Sequence, residues 1–75
     1  MSYMMIEYDV PADLLEKACS ITPGLDSPTI AHLHNKNWMA VKAMVRKDDA
    51  NAVMDQLWNL GCKSILLSAI ETARI

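Results

Sequence analysis

Hydrophobic and polar positions alternate along residues 3–10, "YMMIEYDV". Met4, Ile6, Tyr8 and Val10 fall on one side, and Tyr3, Met5, Glu7 and Asp9 on the other. A period of two predicts a strand with one strongly apolar face. Pro11 then suits the opening of a helix, with Asp13 in a first turn where the helix dipole favours negative charge. Leu14, Leu15, Ala18 and Cys19 share one face of this short helix, which must stop before Pro23. Further on, "TIAHLH" at 29–34 predicts a second strand and "NKN" a turn. "WMAVKAMV" at 38–45 predicts a third strand that buries Met39, Val41, Ala43 and Val45, close enough to the second to form a hairpin. Asp48 is the expected N-cap of a second helix carrying Ala50, Val53, Met54, Leu57 and Leu60 on one face, with Gly61 as its stop. "SILLSAIET" at 64–72 predicts a last strand.

The order β-α-β-β-α-β, with right-handed crossovers, predicts an α+β, ferredoxin-like fold: a four-stranded antiparallel sheet with two helices on one face. The other face would then carry Tyr3, Met5, Trp38, Lys42, Met44, Leu66 and Ile70. So apolar a surface calls for cover by another subunit or domain.

Composition narrows the classes. Residues 1–75 make one small domain, and an apolar fraction of 52% excludes disorder. A net charge of −2 argues against nucleic acid, which selects a basic face. The apolar runs are too short for a membrane span. Cys19 and Cys62 form no extracellular cysteine framework and no signal peptide is visible. A reduced, cytoplasmic protein is expected, and one this small gains stability most readily by self-association.

Candidate chemistry is sparse. His32 and His34, two apart on an expected strand, point the same way, but neither cysteine stands in a metal-ligand spacing. A solvated strand face is the better reading. The serines lack a nucleophile motif, and two glycines cannot build a phosphate-cradling loop. What remains is "SITPGLDSPTI" at 20–30, where Pro23 and Pro28 bracket Gly24 amid Thr22, Asp26, Ser27 and Thr29. Its plain reading is a connection that only turns the chain. The sharper reading is a clamp for a small ligand. Prolines order the loop before binding, Gly24 admits close backbone approach, and Ser27 and Thr29 offer hydroxyls. Asp9, at the end of the first strand, could supply a counter-charge for a cation, and the set suits an amino acid.

The stretches "YMMIEYDVP" at 3–11, "ITPGLDSPTI" at 21–30, the spaced "W-A-V-K-A-M-V" of 38–45, "N-VMDQL" over 51–57 and "LGCKSIL" at 60–66 resemble one known family. That family is the C-terminal regulatory domain of long-form ATP phosphoribosyltransferases, which start histidine biosynthesis. "TPGLDSPT" is the most specific string. The resemblance implies a ferredoxin-like domain that binds L-histidine for feedback inhibition, with contacts at Asp9, Leu25, Ser27, Thr29 and Ser64. It also implies assembly into trimers or hexamers beside the enzyme's catalytic domains. Those domains would hold any Mg2+, and no cofactor is expected in this one. The chain should not catalyse the transfer alone. His32 and Arg46 stand where the family often has proline, and Cys62 and Ser64 where it has alanine or glycine. A sensor of another metabolite, or a purely structural assembly domain, are the rival readings.

Overall fold

The computed structural model describes residues 2–24, 27–72 and 74. Four strands form one sheet in the order β2-β3-β1-β4: β1 (Tyr3–Pro11), β2 (Thr29–His32), β3 (Trp38–Arg46) and β4 (Lys63–Ala69). All three pairings are antiparallel, and helices α1 (Leu15–Ile21) and α2 (Ala50–Leu60) supply the two crossovers. This is the α+β, ferredoxin-like arrangement that the alternating pattern predicts.

The expected core forms. Ile6, Tyr8 and Val10 of β1 and Met39, Val41, Ala43 and Val45 of β3 are buried in one cluster with Ala18 of α1 and Ala50 and Leu57 of α2. Both helices therefore cover the same sheet face. The two strands that alternate most cleanly, β1 and β3, are the two central ones of the sheet. Gly61 ends α2 as expected, at φ 111°, with its N–H bonded to the Leu57 and Trp58 carbonyls.

Four boundaries differ from the pattern. Pro11 does not open an α-helix. It is the last residue of β1 and the cap of a 3-10 turn, Ala12–Leu14, so α1 starts only at Leu15. The Ala12 N–H donates to the Asn37 carbonyl at 2.8 Å, which ties this turn to the β2–β3 connection before the chain can wind into α-helix. Asp48 is not an N-cap. A 3-10 turn, Lys47–Asp49, follows β3 directly, so Asp48 sits inside it, and Asp49 at the head of α2 makes no capping bond. Its acids act on the dipole rather than on a free N–H. β2 stops at His32 because the Asn37 N–H bonds the Asn35 side chain and the Trp38 N–H the Asn35 carbonyl, which reverses the chain. His34 is thus off the strand. β4 ends at Ala69, which leaves Ile70 beyond the ladder.

Candidate functional site

The open sheet face is organised in rows by strand register. One row runs Thr29–Lys42–Glu7–Leu66 across all four strands, and the next runs Ala31–Ala40–Asp9–Lys63. The second row begins with two alanines side by side, so the surface dips there between longer neighbours. A hollow of about 410 Å³ results. Thr29, Asp9 and Ser64 line it, with Glu7, Lys42 and Leu66.

Ser64 reaches the hollow through a break in register. Glu7 pairs with Leu66 but Asp9 pairs with Lys63, so β4 carries one residue more than β1 in this interval. The extra residue is accommodated by Ser64 at φ 52°, a left-handed conformation that costs a side-chain-bearing residue strain. A bulge of this kind re-aims a side chain, here at the sheet's open face. Glycine would adopt the same backbone more easily.

Asp9 lies near the end of β1, a central strand, flanked by Ala40 of β3 and Lys63 of β4. It is half-buried and caps no helix, and among the described residues it makes no hydrogen bond or ion pair. Lys63, its cross-strand neighbour, instead reaches over the Trp38 ring, with Nζ 5.1 Å from the centroid. Among the described residues, the one charge pair of the hollow is Lys42 Nζ to Glu7 Oε1 at 3.9 Å.

Of the residues expected to hold a ligand, Asp9, Thr29 and Ser64 are brought together. Ser27 is exposed and does not line the hollow. Leu25 lies outside the described residues, as does Asp26. Gly24 has φ 75°, a conformation that favours glycine, although a Cβ there would meet nothing nearer than the Ser27 carbonyl carbon at 3.5 Å.

Thr22 has a role the loop's polar composition conceals. It is fully buried, and its hydroxyl donates to the Ala18 carbonyl at 3.3 Å and accepts the Tyr8 phenol at 2.7 Å. The polar loop is therefore pinned to the core at its first residue. Burial pushes the Tyr8 phenol up to about 12, the Thr22 bond opposes this, and the thiols of Cys19 and Cys62 add to it. Burial raises both thiols too, and both cysteines are free. The signal for Thr22 was available: a tyrosine on a core face needs a partner for its hydroxyl. Among the described residues, no three histidine, cysteine or acidic side chains gather as metal ligands. Among them, too, no helix is long and apolar enough to cross a membrane.

Residues 1–72 match the family model described as "HisG, C-terminal domain". The chain belongs to this family. It is 49% identical over 73 residues to the ATP phosphoribosyltransferase of Salinispora tropica, covering 97% of this chain and 26% of that protein. The ATP phosphoribosyltransferase of Micrococcus luteus is 52% identical over 73 residues, with the same coverage of 97% and 26%. That of Streptomyces avermitilis is 50% identical over 74 residues, covering 99% of this chain and 26% of its own length. The HisG C-terminal domain chain thus spans about a quarter of each of these relatives, 26%.

Proposed function

We propose that this domain is the regulatory part of an ATP phosphoribosyltransferase and that it binds L-histidine in the hollow of its open sheet face, so that the end product restrains the first step of its own synthesis. The observation that supports this is the convergence of Asp9, Thr29 and Ser64, on three different strands, around one concavity with room for an amino acid. A half-buried carboxylate without a partner favours a cationic group such as an ammonium or imidazolium. Two hydroxyls beside it can donate or accept, as a ligand with both polarities requires. The phosphoribosyl transfer itself belongs, on this reading, to catalytic domains elsewhere in a cytoplasmic enzyme, together with any Mg2+.

The same face supports self-association into trimers or hexamers. Leu66 is 62% exposed beside the hollow, and Met5 and Met44 pair across β1 and β3 in the adjoining row. A second copy over this face would exclude water from the bound ligand. Thermal unfolding of the chain with each amino acid in turn tests the reading. L-Histidine raising the melting temperature supports it. A shift with another metabolite alone points to a different sensor, and no shift with any ligand leaves an assembly domain.

A further inference from the structure

The hollow holds two carboxylates, Glu7 and Asp9, and one ammonium, Lys42, which leaves it with a net negative charge. Register puts Lys42 at the centre of the row: it is directly opposite Thr29 on β2 and Glu7 on β1. Asp9 is one step along the same face of β1, diagonal to Lys42, and diagonal neighbours in a sheet stand roughly 7–8 Å apart. Two side chains of opposite charge rising from such neighbouring positions can meet the ammonium and the carboxylate of one α-amino acid.

The Glu7–Lys42 pair is poorly committed. Its 3.9 Å separation is long, and the two side chains are 54% and 48% exposed. Pairs so exposed contribute little to stability, so a ligand displaces this one easily. We propose that Lys42 receives the ligand's α-carboxylate, releasing Glu7 to join Asp9 on the ammonium, and that the hollow thereby selects free α-amino acids over the corresponding amines. This rests on the histidine reading above and adds the residue that distinguishes the zwitterion. Thr29, across from Lys42, is placed to hydrogen-bond the same carboxylate. Without a ligand carboxylate to draw Lys42 away, Glu7 stays paired and an amine meets Asp9 alone.

Calorimetric titration of the parent chain and of Lys42→Met and Lys42→Arg with L-histidine and with histamine, its decarboxylated analogue, tests this. Lys42→Met is expected to weaken L-histidine roughly tenfold or more, the loss of one charge-assisted contact, and not to weaken histamine, since it frees Glu7 for the amine's ammonium. Lys42→Arg should restore most of the L-histidine affinity, since it keeps the charge. Unchanged L-histidine binding by Lys42→Met overturns the proposal while the histidine reading stands. So does an equal loss for both ligands. If the parent chain binds neither ligand, the histidine reading falls and this inference falls with it. Lys42 is solvent-exposed, and an unaltered melting temperature of the two variants separates a binding effect from a folding one.

Discussion

The two faces of β1 are built from one stretch of chain and do opposite work. Ile6, Tyr8 and Val10 point under the helices, and each is at most 2% exposed. Met5, Glu7 and Asp9, interleaved with them, are on the side where the hollow lies. On the covered face, among the described residues, no buried side-chain polar atom lacks a partner: Tyr8 is the one side chain of β1 there with a hydroxyl, and Thr22 satisfies it. On the open face a carboxylate is half-buried with no partner among the described residues, and a serine holds a left-handed backbone. The difference teaches where to look for function in a domain with no catalytic motif. The face that obeys every packing rule holds the fold, and the face that breaks several is the one free to bind.

The largest expected effect is on the covered face. Ile6→Ala removes a fully buried side chain from the central strand and should cost about 2–5 kcal/mol. In a domain of this size that lowers the melting temperature by about 10 °C or more. A smaller change would mean that the two faces carry similar weight. On the open face, Asp9→Asn keeps shape and removes charge. It should reduce L-histidine affinity roughly ten- to a hundredfold while the melting temperature stays near that of the parent, read by calorimetry and thermal unfolding together. Full affinity would sink the assignment of the hollow.

Thr22→Val tests the pin between loop and core. It strands the buried Tyr8 hydroxyl and should cost about 1–3 kcal/mol. The pH dependence follows from the same contact. The Tyr8 phenol is raised to about 12 from an unfolded value near 10.0, so the folded state favours the protonated form. Its contribution is fully present below pH 10 and is lost as pH rises through 12, an alkaline weakening that Tyr8→Phe should diminish. The smallest effect is expected of Ser64→Gly. Relieving the left-handed strain should raise stability by about 1 kcal/mol, with some loss of ligand affinity as the hydroxyl leaves the hollow. Chemical denaturation resolves a change of that size, and a destabilised variant would show that the serine's backbone is not strained.

Much of the covered face was legible in the sequence because burial on one side imposes a period of two on β1 and β3, and 3.6 on α2. The boundaries were less so. Proline and aspartate advertise helix starts, yet Pro11 and Asp48 precede or occupy 3-10 turns whose placement depends on partners elsewhere, such as the Asn37 carbonyl for Ala12. The open face was half legible. Resemblance pointed to Asp9, Thr29 and Ser64, but the hollow depends on which residues face each other across strands. Neither the Ala31–Ala40 dip nor the bulge at Ser64 has a one-dimensional signature. Lys42 was visible only as one more charge on a strand until register set it between Thr29 and Glu7.

The central claim is that the open face, and not the loop or the helices, holds the ligand. Amide chemical-shift mapping of the isotope-labelled chain during titration with L-histidine tests it most directly. Saturable shifts centred on Asp9, Thr29, Lys42 and Ser64 are expected, with Ala18, Ala50 and Leu57 in the core nearly still. Shifts centred on the helices, or none at saturating L-histidine, would contradict it.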